Sequence, residues 1–252
     1  MKIGLLECDH VAPRLRDIAG DYREMFSAML ARDLPGLTLI PFDICAAVWP
    51  ASLDVCDAYL CTGSRHSAFE HRDWIALLLE FVREAHAART PFVGICFGHQ
   101  VLAQALGGLV ERASDGWGVG VHRMEVVQPA SWMQPPRPAC RLQYMHQDQV
   151  VRLAPGAELL GRTEHCPMAM FQLGDTMLGI QGHPEFPPEY GEALIGDRVE
   201  QIGAARAEQG RASLSEPADA ALAAQWIARF LERASSSRSI APANGNAVPA
   251  KR

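Results

Sequence analysis

Residues 90–108 read TPFVGICFGHQVLAQALGG, and this stretch decides the fold. The apolar run 91–95 is typical of a buried strand, and after the residues G-I-C-F-G the pattern becomes helical. A strand that turns sharply into a helix around G-x-Cys-x-G is typical of a nucleophile elbow. Because Gly94 and Gly98 lack Cβ atoms, the strand and the helix can pass close together beside Cys96.

The position of Cys96 at such an elbow favours a reactive thiol. The helix N-terminus directs its positive end at the sulfur and stabilises a thiolate, and the N–H of Phe97 is placed to bind a developing oxyanion. A buried, inert thiol between two packing glycines is the competing interpretation. The agreement of strand, glycines and helix favours the nucleophile.

Upstream of the elbow, apolar runs alternate with helical patterns. Predicted strands cover residues 2–8, 37–42, 57–62 and 91–95, and predicted helices cover residues 16–32 and 73–88. This alternation favours βαβ units, so we expect an α/β fold with a mostly parallel sheet covered by helices on both faces.

Downstream of the elbow the pattern changes to strands joined by turns. Predicted strands cover residues 118–127, 141–152, 168–173 and 176–182, and Gly174-Asp175 is the expected hairpin turn between the last two. Residues 217–234 start with proline and continue as an amphipathic helix. Residues 235–252 are small and polar, which predicts a disordered tail after a single domain over residues 1–234.

Composition excludes several classes of protein. The 252 residues carry a net charge of -6, which argues against a surface built for nucleic acid or anionic membrane. The N-terminus does not read as a signal peptide, and no stretch approaches the roughly 20 apolar residues of a membrane-spanning helix. We therefore expect a cytoplasmic protein. The seven cysteines include no C-x-x-C pair, so reduced thiols and no metal site are expected.

A nucleophilic cysteine needs a base, and His183 is the best candidate among the nine histidines. It follows a predicted strand in LGIQGHPEF, and Pro184 holds it in extended backbone. Residues two apart in extended chain face the same side, so Glu185 can hold one ring nitrogen while the other faces Cys96. The alternative is a histidine that only closes a strand end beside a solvated glutamate.

The segments GICFGHQ (94–100) and QGHPE (181–185) together resemble the class I glutamine amidotransferase family, in its stand-alone, GMP-synthase-like glutaminase branch. The resemblance covers roughly residues 1–200. It implies a flavodoxin-like three-layer sandwich with a small antiparallel extension, and a Cys96–His183–Glu185 triad.

The resemblance also implies further site residues. The loop YLCTGSRHSAF (59–69) is similar to the family loop that supplies the second oxyanion donor, here Gly63 or Ser64. Gln100 matches a family glutamine that helps to hold the substrate. MHQDQV (145–150) looks like the family's H-x-D-x-V element, which makes Gln147 and Asp148 candidates for binding the substrate's α-amino and α-carboxylate groups. A turn, a polar helix residue and loop caps are the alternatives.

Four functions are open at this level. The family resemblance implies glutaminase-type hydrolysis of a γ-glutamyl amide through a thioester, with glutamine or a γ-glutamyl small molecule as substrate and no cofactor. The ammonia would then pass to a separate synthetase subunit, because the chain contains no synthetase domain. The alternatives are a stand-alone γ-glutamyl peptidase or conjugate hydrolase, an acyltransferase on the same fold, and a non-catalytic regulatory protein.

Overall fold

The computed structural model describes the backbone of residues 1–240 and the side chains of residues 1–236. Within this part the chain forms eleven β-strands and eight α-helices. The strands are β1 (Lys2–Glu7), β2 (Thr38–Asp43), β3 (Ala58–Cys61), β4 (Phe92–Ile95), β5 (Leu109–Arg112), β6 (Gly118–Val126), β7 (Ala139–His146), β8 (Asp148–Arg152), β9 (Ala157–Arg162), β10 (Met170–Leu173) and β11 (Met177–Ile180). The helices are α1 (Arg16–Ala19), α2 (Tyr22–Ala31), α3 (Asp73–Ala87), α4 (Phe97–Ala105), α5 (Pro188–Asp197), α6 (Val199–Ile202), α7 (Ala204–Ser213) and α8 (Ala220–Ile240).

A nine-stranded sheet in the order β2-β1-β3-β4-β11-β10-β9-β6-β7 forms the centre of the molecule. The pairings from β2 through β11 are parallel, and those from β11 through β7 are antiparallel. A second antiparallel sheet pairs β5 with β8. The predicted α/β fold is therefore confirmed, and the antiparallel part contributes as many pairings to the main sheet as the parallel part.

Two apolar clusters cover the two faces of the parallel strands. Alternate residues of β3 divide between them, with Ala58 and Leu60 in one cluster and Tyr59 and Cys61 in the other. Helices α2, α5 and α8 pack with the first cluster, and α3 and α4 pack with the second. The elbow between β4 and α4 is consequently held between two packed layers.

The structure corrects several predicted boundaries. The helix predicted over residues 16–32 is two helices, because Gly20 takes a positive φ of 79° and Asp21 then caps α2 in a capping box with Glu24. The predicted strand 141–152 is two strands, β7 and β8, which separate at Gln147. Strands β5 and β9 and helices α5, α6 and α7 were not predicted.

The C-terminal helix is longer than the sequence pattern indicated. Helix α8 runs to Ile240, so residues 235–240 of the predicted tail are helical. The rest of that tail, residues 241–252, lies outside the described residues. Among residues 1–240, no helix combines the length and the apolar character needed to cross a bilayer.

Candidate active site

Cys96 lies between β4 and α4 in a strained backbone conformation. Its φ is 52° and its ψ is -100°, in the region that favours glycine. A Cβ on Gly94 would lie 2.2 Å from the carbonyl oxygen of Gly98, and a Cβ on Gly98 would lie 2.5 Å from that of Cys61. Neither glycine can carry a side chain without a backbone shift, so both are required for the close passage of strand and helix that the elbow prediction assumed.

His183 and Glu185 follow β11 on a short extended segment. The backbone N–H of His183 donates to the carbonyl of Gln143 at 2.8 Å, which ties this segment to β7. Nδ1 of His183 lies 2.7 Å from Oε1 of Glu185, and both residues are at most 5% exposed. Phe186 stacks on the imidazole with ring centroids 3.9 Å apart. The ring is thus fixed in place with Nδ1 engaged, and its other nitrogen is left for Cys96.

The pKa of His183 depends on both Glu185 and Cys96. Burial lowers the pKa of His183, but the Glu185 carboxylate and the hydrogen-bonded Cys96 sulfur outweigh burial and raise the pKa to about 10. The imidazole is therefore protonated at neutral pH. A buried imidazolium beside a thiol can hold that thiol as a thiolate, which is the nucleophilic form.

The predicted oxyanion donors have unoccupied amides. Within residues 1–240, none of the backbone hydrogen bonds is donated by the N–H of Phe97, Gly63 or Ser64. The next amide along the loop, that of Arg65, instead donates to Asp9 Oδ2 at 2.9 Å. Free amides on both sides of a nucleophile can bind an oxyanion.

Thr62 fixes the direction of one of these amides. Its hydroxyl donates to the carbonyl of Gly63 at 3.0 Å and accepts from the N–H of Cys8 at 3.0 Å. In a trans peptide the C=O and the N–H point in opposite directions, so this bond also orients the N–H of Ser64. Ser64 lines the same cavity as Cys96, which favours Ser64 over Gly63 as the second donor.

The predicted substrate-binding residues Gln100, Gln147 and Asp148 lie together at the start of β8, which we call the β8 rim. The side-chain amide of Gln100 donates to the carbonyl of Asp148 at 2.7 Å and to Oε1 of Gln181 at 3.1 Å, so both of its N–H donors are used within the protein. Asp148 is buried and accepts a short hydrogen bond from the hydroxyl of Ser67. Gln147 lines the cavity beside it.

A cavity of about 530 Å³ connects Cys96 with these residues. Its walls include residues that the sequence analysis did not select. Nε of Arg112 lies 3.6 Å from Oδ1 of Asp148, and Tyr22, Tyr190 and Arg198 line the cavity as well. Ser67, which donates to Asp148, was not selected either, although it lies in the loop YLCTGSRHSAF three residues after Ser64.

Comparison with known proteins shows which family the chain resembles. The family model for glutamine amidotransferase class-I matches residues 67–201, more than half of the chain. The chain is 33% identical to gamma-glutamyl peptidase 3 of Arabidopsis thaliana over 58% of its own length and 61% of that protein's length. It is 26% identical to a glutamine-hydrolyzing GMP synthase subunit of Sulfolobus acidocaldarius, over 64% of the chain and 84% of that protein.

Solved structures share the fold. A crystal structure of a glutamine amidotransferase from Thermotoga maritima superposes with a TM-score of 0.71 at 19% identity, covering 91% of this chain and 98% of that one. The predicted resemblance is confirmed, and the chain belongs to the glutamine amidotransferase class-I family.

Proposed function

We propose that this protein hydrolyses γ-glutamyl amide bonds through a covalent γ-glutamyl thioester on Cys96. One observation carries the proposal: the buried His183 is hydrogen-bonded to Glu185 and to Cys96, its pKa is raised to about 10, and Cys96 lines a cavity of about 530 Å³. Burial lowers the pKa of a histidine, so the raised value reflects the two acidic neighbours. Such a trio is suited to acyl transfer.

In the first half-reaction the Cys96 thiolate attacks the γ-carbonyl carbon, and the carbonyl oxygen becomes an oxyanion held by the amides of Phe97 and Ser64. The His183 imidazolium gives its proton to the leaving nitrogen as the C–N bond breaks. A free amine and a γ-glutamyl thioester result. In the second half-reaction His183 takes a proton from water, the hydroxide attacks the thioester, and glutamate and the thiolate are released.

The β8 rim offers a binding site for the α-amino acid end of the γ-glutamyl group. Oδ1 of Asp148 is buried and receives no hydrogen bond from the residues that the structure describes, which suits an ammonium group. The exposed guanidinium of Arg112, 3.6 Å away, suits the α-carboxylate. This pairing gives Asp148 the predicted binding role and adds Arg112 to the site. Gln100 takes the role of holding the Asp148 backbone, and Gln147 remains a candidate contact.

Two kinds of leaving group are compatible with the mechanism: the amine of a peptide or conjugate, and ammonia. A stand-alone γ-glutamyl peptidase or conjugate hydrolase, which releases the first kind, is the better supported function. The cavity is in the size range of sites for drug-sized ligands, which leaves room beyond a γ-glutamyl group. A relative carries the name gamma-glutamyl peptidase. The second candidate is a glutaminase that passes ammonia to a separate synthetase subunit, and the likeness to the GMP synthase subunit of Sulfolobus acidocaldarius favours it.

The test is release of glutamate from glutamine and from a panel of γ-glutamyl dipeptides, with Cys96→Ala as the control. We expect dipeptide turnover that is absent in Cys96→Ala. Turnover of glutamine alone would favour the partner-dependent glutaminase. If no substrate yields glutamate and a thiol-reactive glutamine analogue fails to label Cys96, the proposal is wrong and the non-catalytic alternative gains support.

A further inference from the structure

One wall of the cavity is a single face of α5 and the residues that follow it. Tyr190, Leu194 and Asp197 line the cavity at spacings of three and four, which place them on one side of α5, and Arg198 and Gln201 line it just beyond the end of that helix. None of these side chains has a part in the mechanism above. Together with Tyr22 and residues 9–16, they enclose space beyond the reacting centre.

This wall lies close to Cys96. A Cβ placed on Gly63 would lie 3.2 Å from Cε1 of His183, 3.8 Å from Cβ of Cys96 and 4.0 Å from the hydroxyl of Tyr22. The Tyr22 hydroxyl therefore approaches the same point as the nucleophile and the base. Tyr190 is joined to His183 through Phe186, whose ring meets that of Tyr190 at a centroid distance of 4.7 Å.

Charge is balanced in this cavity except at Arg198. Four of the five arginines that line it are paired with carboxylates: Arg14 with Asp197, Arg16 with Asp21, Arg65 with Asp9, and Arg112 with Asp148. In the part of the chain whose side chains are described, the guanidinium of Arg198 forms neither an ion pair nor a hydrogen bond. It is half-buried, so its charge is only partly solvated.

Arg198 lines the same cavity as Tyr22 and Tyr190. Burial raises the pKa of Tyr190 to about 12, and the Arg198 charge acts against that rise. Burial also raises the pKa of Tyr22, and Arg198 again opposes the effect. The hydroxyls of Tyr22 and Tyr190 are hydrogen-bonded to each other, and together with the unpaired guanidinium they offer donors to an anion in this cavity.

We infer that Arg198, with the hydroxyls of Tyr22 and Tyr190, forms a subsite for a carboxylate on the leaving amine. The preferred substrates are then γ-glutamyl conjugates of amino acids or peptides whose leaving half carries a free carboxylate. This inference rests on the proposed hydrolase function and adds a specificity determinant to it. Arg112 and Asp148 hold one end of the substrate, and Arg198 holds the other.

The test compares γ-glutamyl-alanine with γ-glutamyl-alaninamide, which differ by the carboxylate alone. The measured quantity is the ratio of kcat/KM for the acid over the amide, in wild type and in Arg198→Gln. Intrinsic differences between the two leaving amines cancel when this ratio is compared between variants. A hydrogen bond to a charged group is typically strong enough that we expect the ratio to fall about tenfold or more in Arg198→Gln. Arg198→Lys should retain part of the preference.

Arg14→Gln is the matched control, because it removes a guanidinium from the same cavity that already has a carboxylate partner. Its ratio should stay near that of wild type. An equal fall in Arg14→Gln would show that the cavity responds to net charge and would overturn the assignment to Arg198. Turnover of both substrates with a ratio unchanged in Arg198→Gln would overturn the subsite and leave the hydrolase intact. No turnover of either substrate or of glutamine would overturn both.

Discussion

Nδ1 of His183 lies 2.7 Å from Oε1 of Glu185 in a part of the protein that water hardly reaches. The second carboxylate oxygen, Oε2, is buried and has no hydrogen-bond partner in the described part of the chain. A buried carboxylate with one bonded oxygen is unfavourable unless a positive charge compensates it, and the imidazolium of His183 supplies that charge. The pair therefore stabilises the protonated ring that the mechanism uses as an acid.

Replacement of Glu185 by glutamine should remove this stabilisation while keeping the shape of the side chain. We expect kcat/KM for a γ-glutamyl dipeptide to fall on the order of 10³- to 10⁴-fold, as for loss of the acid in other triads. The control is Glu189→Gln, an exposed glutamate in the first turn of α5. Activity of Glu185→Gln close to that of Glu189→Gln would contradict a positioning role for Glu185.

The raised pKa of His183 also predicts how stability depends on pH. The folded state binds the proton with a pKa of about 10, compared with about 6.5 for an unfolded chain, so the stabilisation is complete below about pH 6.5 and is lost as the pH rises toward 10. The measurement compares wild type with His183→Gln, because the Cys96 sulfur is one cause of the raised pKa and has to be present. The free energy of unfolding of wild type should fall from pH 7 to 10 more steeply than that of His183→Gln. Parallel curves would show that the pKa of His183 is not raised.

Local sequence predicted the elbow because most of its pattern is local. Gly94, Cys96 and Gly98 lie within five residues, and a side chain on Gly94 is forbidden by the adjoining helix α4. The contact that forbids a side chain on Gly98 is with Cys61 of β3 and could not be read from this stretch. His183 and Glu185 were also found from a local pattern, since extended backbone alone sets their relative direction.

The α5 wall could not be predicted in this way. Helices α5 to α7 contain Gly191, Gly196 and Gly210 and few large apolar residues, so no amphipathic pattern marks them. They are stabilised by long-range packing instead, as where Gly191 lies against Gln143 and Gly210 against Val119. Arg198 owes its place in the cavity to that packing. The capping box of Asp21 and Glu24 was missed as well, because the helix was predicted to run through it from residue 16 to 32.

The Thr62 hydroxyl offers a separate test of the oxyanion site. Thr62→Val removes the donor to the Gly63 carbonyl and releases the orientation of the Ser64 amide. Loss of a complete oxyanion donor typically costs about 10²- to 10³-fold in kcat, so a misdirected one should cost roughly tenfold or more. Thr62→Ser keeps the hydroxyl and should restore most of the rate. Equal loss in the serine and valine variants would indicate a packing role for Thr62.

The strained backbone of Cys96 predicts that the nucleophile is held at a cost in stability. At φ 52° and ψ -100°, a residue with a Cβ is disfavoured by on the order of 1–3 kcal/mol, whereas glycine is not. Both Cys96→Gly and Cys96→Ala should be inactive, but Cys96→Gly should be the more stable by about 1 kcal/mol after the larger chain entropy of unfolded glycine is subtracted. Thermal unfolding of the two variants measures this, with an expected difference in Tm of about 2–4 °C for a chain of this size.

Cys140, buried in β7 and without a positive φ, is the control position, where alanine should be more stable than glycine. If alanine were the more stable residue at both positions, Cys96 would carry no backbone strain, and the thiol would be presented by packing alone.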